Sequence, residues 1–302
     1  MPRTTVLSVE NIWKYYGRTP ALRGVSFSVR EGELVGLVGP NGSGKTTLIR
    51  IIVGILRASR GRVSLRGSDP FREPRSREGL GYIPERPVLP SSMSIRELLR
   101  TAAMIYSHPR PSDAAEEALA IAGLEGHGDK SFDELSAGLK QRAAIAHALV
   151  HEPEIIVADE PTSNLDPVER LKILELLADL NTRRGLTLLF TSHVLAEVSR
   201  LSERIVVLLR GERVFYGSPR SLVERSRLVR VRTSEPRRLA YALSKLGYSV
   251  GEEAFSVLIR LGSRSELGKL LRDLSEIAGE VPIFSIDTVE AALEELLRGG
   301  AG

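Results

Sequence analysis

The sequence contains no cysteine. Disulfides, thiol nucleophiles and thiolate metal sites are therefore excluded. Glutamine is nearly absent as well, with Gln141 the only one in 302 residues. Absent Cys and scarce Gln accord with heat adaptation, and a GC-rich genome would enrich Arg in a similar way. Charge of one sign does not dominate. Lys and Arg number 42 against 38 Asp and Glu, a net charge of +4, with a pI of about 9.4. That bias is too weak for the footprint of a nucleic-acid binder, and no nucleic-acid partner is expected. Long apolar runs are missing too. IIVGIL and IVVLL are bounded by arginines and fall far short of the roughly 18 residues that span a bilayer. The opening MPRTTVLSVE has no signal-peptide apolar core. These absences point to a soluble, cytoplasmic chain with no direct membrane span, which reaches a membrane only through a partner.

What is present suits well-buried cores. Hydrophobic residues make up 42% of the chain, and its length exceeds one typical domain. Residues 6–10 and 25–29 alternate apolar and polar, which predicts half-buried antiparallel strands. ELVGLVG (33–39), EIIVADE and LTLLFTSH are apolar runs that fit strands buried on both faces. Between them lie helical patterns: KTTLIRIIVGIL, a segment opening on Ser94 with Glu97 three residues on, 111–122, 139–151, and PVERLKILELLADLNTRRG. RIVVLLRGERVFYG reads as a hairpin turning at Arg210–Gly211. Apolar strands alternating with helices predict a mostly parallel sheet covered by helices, with an antiparallel side sheet. After the helix SPRSLVERS, from residue 227, the texture changes to β-α-β-β-α-β, the order of a small ferredoxin-like domain. The predicted organisation is an α/β P-loop cassette over 1–222 and an accessory α+β domain over 223–302.

The chemistry begins at GPNGSGKTT, which matches G-x-x-x-x-G-K-S/T between a strand and a helix. Gly39, Gly42 and Gly44 let backbone N–H groups converge on phosphate oxygens, with Asn41, Ser43 and Thr47 in the same cradle. Lys45 would sit between the β- and γ-phosphates, and Thr46 would ligate Mg²⁺. This pattern says nucleotide and leaves the reaction open. IIVADE narrows it. Asp159 ends a buried strand, where it can hold Mg²⁺ through water, and Glu160 follows as general base for an attacking water. DELSAGLKQR places Ser136 and Gly138 at the start of another helix. Ser136 there reads as an ordinary N-cap or as part of a second anion cradle. Two cradles make sense if two chains face head-to-tail, each offering this segment to the other's γ-phosphate.

The ordered set resembles the ATP-binding subunit of ABC (ATP-binding cassette) transporters. The resemblance covers residues 1 to about 220 and rests on five pieces: GPNGSGKTT, LSAGL, IIVADE, SNLD (163–166) and TSH ending at His193. It implies ATP and Mg²⁺ as cofactors, a second ATP-binding subunit, and a separate multi-span membrane permease at the inner face of the cell membrane. Tyr16 would stack on adenine, although its residue type suits a core aromatic as well. Asp166 would link the two sites of a dimer, and His193 would contact the γ-phosphate and orient Glu160. The family's LSGGQ reads LSAGL here. The cassette followed by a small α/β domain is similar to exporter ATPases whose membrane part is a separate polypeptide.

One loop departs from the family. In GYIPERPVLP, prolines 84 and 87 bracket Glu85–Arg86 and Pro90 closes the segment, a stiff loop leaving a strand. The family carries a glutamine where Glu85 stands. A carboxylate can ligate Mg²⁺ but cannot donate to water, so Glu85 is expected either to ligate the metal as a sensing residue or to point away into a surface salt bridge. Rival functions are weaker. Cassettes that act on ribosomes or in DNA repair usually carry two cassettes per chain or long coiled coils, and neither is visible. A P-loop kinase or GTPase would lack LSAGL.

Overall fold

The computed structural model describes residues 3–263 and 265–299. The outer limits of both expected domains, at residues 1 and 302, lie outside the described residues. The chain divides into two units between Tyr216 and Gly217, earlier than the boundary expected after residue 222. The reason is local: the helix that begins at Pro219 packs on the last helix of the second unit.

In the first unit, β1 (Thr5–Tyr16) pairs antiparallel with β2 (Thr19–Arg30). Both strands run beyond the stretches that alternate in sequence. Register shifts between Val9 and Ile12, where Asn11 takes a φ of 49°, break the alternation while the pairing continues. Strand β3 (Leu34–Val38), buried throughout, leads into the phosphate loop and α1 (Lys45–Ile52). Strand β4 (Arg60–Leu65) completes a side sheet in the order β2-β1-β4.

A helical subdomain follows β5 (Leu80–Ile83): α2 (Ile95–Ile105), α3 (Pro111–Ala122) and α4 (Ala137–Leu149). The Ser94–Glu97 capping box opens α2, with the Ser94 N–H donating to the Glu97 carboxylate at 2.9 Å. Helix α4 starts two residues before the expected position, so Ala137 and Gly138 lie in its first turn. The core here is built largely of alanines from α2, α3 and α4, which allow close helix approach, around Leu99 and Leu119.

The chain then returns to the main body with β6 (Ile155–Ala158), α5 (Pro167–Arg184), β7 (Thr187–Ser192), α6 (Leu195–Leu201), β8 (Arg204–Leu209) and β9 (Glu212–Gly217). The central sheet has the order β5-β6-β7-β3-β8-β9. Its first five strands in that order are parallel, and β9 turns back through Arg210 and Gly211, both with positive φ. Side sheet, α1 and central sheet share one core, joined through Val9, Val25, Leu48, Ile52, Val35 and Val206. Parallel strands in this order place the loops after β5, β6, β7 and β3 side by side on one edge, where open α/β sheets bind ligands.

The second unit comprises α7 (Pro219–Ser226), β10 (Leu228–Arg232), α8 (Pro236–Lys245), β11 (Ser249–Glu253), β12 (Ser256–Arg260), α9 (Glu266–Ile277), β13 (Ser285–Asp287) and α10 (Val289–Gly299). From β10 to β13 the element order is the β-α-β-β-α-β read from sequence, and the sheet is antiparallel in the order β11-β12-β10-β13. Val229, Val231, Leu239, Leu243, Ile259 and Leu270 form its core. Buried Arg230 is held by Glu253 at 3.3 Å and Glu294 at 2.6 Å. No helix among the described residues is long and apolar enough to cross a membrane.

Candidate functional site

The phosphate loop is shaped by contacts that exclude side chains. A Cβ on Gly39 would lie 2.2 Å from the Leu208 carbonyl oxygen, and one on Gly44, which has φ of 105°, would lie 2.7 Å from that of Ala21. The β8–β9 turn supports the loop from behind, its Gly211 N–H donating to the Ser43 carbonyl at 3.0 Å. No side chain caps α1 and no acid lies in its first turn, so the positive end of the helix faces the cradle uncompensated. The Ser43 hydroxyl is buried without a hydrogen-bond partner among the described residues. These features fit a bound phosphate chain: open amides, a free buried hydroxyl and space held clear of Cβ atoms. Asn41 and Gly42 are exposed at the tip, and Thr46 and Thr47 are half-buried behind it.

Lys45 is buried and donates to the Gly39 carbonyl at 2.8 Å. Its ammonium also lies 3.2 Å from the Glu160 carboxylate, whose other oxygen is 2.8 Å from His193 Nδ1. Three residues from the loops after β3, β6 and β7 thus meet. Glu160 adopts φ of 45°, an uncommon conformation for a non-glycine residue, which turns its side chain back toward Lys45 and His193.

Asp159 lies one residue before, buried, with its N–H donating to the Ile83 carbonyl at 2.8 Å. Burial raises its carboxyl pKa, opposed by hydrogen bonds from the Thr191 and Thr46 hydroxyls. Thr191 escaped the sequence reading, although it opens TSH. Its hydroxyl accepts from the Glu160 N–H at 2.7 Å and donates to Asp159 at 2.9 Å, fixing both acids. Among the described residues no group of three His, Cys, Asp or Glu could hold a metal by itself. Thr46 and Asp159 therefore fit an ion that takes its remaining oxygens from nucleotide phosphates.

Glu85 stands on the same edge, two residues past β5, half-buried with exposed Arg86 beside it. No ion pair joins Glu85 to Arg86 or to any other described cation. Its charge, after burial and the charge of Asp159, helps raise the pKa of the half-buried Tyr82 hydroxyl. Farther along the loop, Leu89 packs on the helical-subdomain core together with Leu139. That contact gives the unusual Leu in LSAGL a packing role.

Four sequence-predicted residues lie outside this cluster. Tyr16 ends β1, 51% exposed, with the Lys14 ammonium 5.5 Å from its ring centre. It is therefore not a core aromatic. Ser136 caps α4, accepting from the Leu139 N–H at 3.4 Å, and a Cβ on Gly138 would meet the Glu169 carboxylate at 2.6 Å. Asp166 caps α5, accepting from the N–H groups of Val168 and Glu169 at 2.9 and 3.0 Å.

A buried hub also went unread in the sequence. The Glu197 carboxylate accepts from Ser192 at 2.5 Å and from Thr162 at 3.1 Å, with Arg170 Nε at 3.6 Å. It ties the residue before His193 to the segment after Glu160. A lone Glu on a short amphipathic helix carries no sequence signal for such a role.

The ABC transporter family profile matches residues 22–163. Nod factor export ATP-binding protein I of Burkholderia orbicola is 37% identical over 221 residues, 72% of each chain. The chain belongs to the ATP-binding subunits of ABC transporters. Linearmycin resistance ATP-binding protein LnrL of Bacillus subtilis is 34% identical, covering 73% of this chain and 71% of its own. Among solved structures, a dimeric ATP-binding cassette in a post-hydrolysis state bound to ADP and Pi is 28% identical, with a TM-score of 0.64, covering 70% of this chain and 98% of that one. cbiO1 from Clostridium perfringens, part of the ABC transporter complex cbiONQ, covers 81% of this chain and 98% of its own, at 29% identity and a TM-score of 0.67. The cassette is accordingly an ATPase.

Proposed function

We propose that two copies of this cassette close head-to-tail on two ATP–Mg²⁺, and that closure drives a separate membrane permease in export. The observation that carries this reading is the convergence of Lys45, Glu160 and His193 at an uncapped helix start. With ATP in place, the γ-phosphate takes over Lys45. Glu160 is then released to accept a proton from the attacking water, and His193 holds its orientation. Thr46 and Asp159 would hold Mg²⁺, with Glu85 a further candidate ligand on the same edge, and the ion would supply neutralisation of phosphate charge. Tyr16 stacks on adenine. Ser136 and Gly138 face the partner copy's γ-phosphate, and Asp166 lies at the contact between the two sites.

A groove of about 730 Å³ lies between the ends of α1 and α2, lined by Ile55, Arg77, Tyr82, Ile105, Tyr106 and His151. It adjoins the loop that holds Glu85, and its mixed polar and apolar lining suits an amphipathic helix of the permease. Export is favoured by the names of the relatives, which concern Nod factor export and linearmycin resistance. The test is sedimentation of the purified chain with and without ATP, followed by co-purification with a membrane subunit. A Glu160→Gln chain that stays monomeric with saturating ATP and Mg²⁺ would refute the head-to-tail reading.

A further inference from the structure

Beside the groove lies a second, smaller concavity of about 130 Å³, lined by Leu56, Arg57, Arg60, Asp69, Phe71 and Arg72. The same chain segment lines both, with consecutive residues Ile55 in the groove and Leu56 in the concavity. Residues 55–78 carry seven arginines against three acids, a net of +4, as much as the whole chain. Arg57, Arg60 and Arg72 of this segment line the concavity together with Phe71.

These arginines are unevenly neutralised. Arg66 is paired with Glu31 and Glu154, and Arg72 with Asp69 at 3.5 Å. Arg57, Arg60 and Arg75 are exposed, and none has a carboxylate within ion-pair distance among the described residues. Two apolar side chains stand among them, Ile55 at 59% and Phe71 at 43% exposure. Exposed cations around protruding apolar groups match the chemistry of an anionic bilayer surface, where headgroup phosphates meet acyl chains.

We propose that residues 55–78 form a lipid-headgroup-binding face that seats the cassette on an anionic membrane next to its permease. This rests on the reading that the adjoining groove takes the permease, because a surface bordering that groove then faces the bilayer. Phe71 and Ile55 would enter the interfacial layer, and Arg57, Arg60 and Arg75 would contact phosphates. Each basic residue near such a surface changes affinity by about fivefold.

The test uses the purified full chain and protein-free vesicles of either pure phosphatidylcholine or a mixture with phosphatidylglycerol. The expected result is sedimentation with the anionic vesicles only, weakened by high salt. Arg57→Gln/Arg60→Gln/Arg75→Gln should weaken binding by about a hundredfold while ATPase activity in solution stays unchanged. Phe71→Ser should weaken it without altering its salt dependence. Equal binding to neutral vesicles, no binding, or binding untouched by the triple variant would overturn the proposal. So would tighter binding to a DNA duplex at equal phosphate concentration, which would mark a general polyanion surface. Failure on vesicles with intact permease co-purification removes only the headgroup face. Vesicle binding with no permease association removes only the groove reading.

Discussion

Glu160→Gln separates the observed pairing of this carboxylate with Lys45 from its proposed role as general base. Glu160 is the partner of the buried Lys45 ammonium at 3.2 Å and of His193 at 2.8 Å. The amide keeps the shape and removes the charge. Stripping one partner from a fully buried pair costs about 3–5 kcal/mol. Here the Glu160 side chain is 14% exposed and Lys45 keeps the Gly39 carbonyl, so a loss of about 1–2 kcal/mol is expected. That corresponds to a fall in Tm of a few degrees for a chain of this size. ATP should erase the deficit, because the phosphate supplies the missing anion. Turnover should move the other way. Loss of a general base lowers kcat by at least about a hundredfold, close to 2.7 kcal/mol in the barrier. Steady-state phosphate release and thermal unfolding with and without ATP measure both. Turnover within a few-fold of normal would remove Glu160 from the base role. A Tm deficit that persists in saturating ATP would show that Lys45 does not pass from carboxylate to phosphate.

Further perturbations test neighbouring parts of the site. Glu85→Gln is expected to lower the Mg²⁺ concentration needed for half-maximal ATPase activity, and Glu85→Ala to raise it; unchanged curves in both would assign Glu85 to the surface. Glu197→Ala leaves Arg170 and two hydroxyls without their buried acceptor, so a loss of about 2–4 kcal/mol is expected. With the loop before His193 released, kcat should fall while ATP affinity holds, in a comparison of nucleotide titration with turnover. Burial holds His147 and His151 below the ordinary imidazole range. The unfolded chain therefore takes up protons first, and stability present at neutral pH is lost as pH falls through about 6.5. His151→Gln should show a shallower fall in Tm between neutral and mildly acidic pH, and an unchanged slope would refute the linkage.

Much of the architecture was legible because its signals are local. The alternation in VLSVE, the full apolarity of IIVA and the Pro-to-Gly span of α5 each report burial or capping within a few residues. The ends of β1 were not legible, because bulges near Asn11 break the period while the ladder continues. The start of α4 was misplaced because Gly138 looks like a helix breaker in sequence. In the fold its lack of a Cβ makes room for Glu169.

The sequence by itself determined the phosphate loop, the acidic pair at 159–160, the order of the motifs and the alternation of strands and helices. Those follow from spacing along one chain: glycines before a lysine, apolar runs of strand length, caps at helix ends. Only the tertiary structure decided which side chains meet. Lys45, Glu160 and His193 come together because β3, β6 and β7 share one parallel sheet and end on the same edge. The same packing makes Thr191 the bridge between the two acids and Glu197 the anchor beneath His193. Such contacts join residues far apart in the chain. Their energies depend on burial and orientation, which residue spacing does not encode.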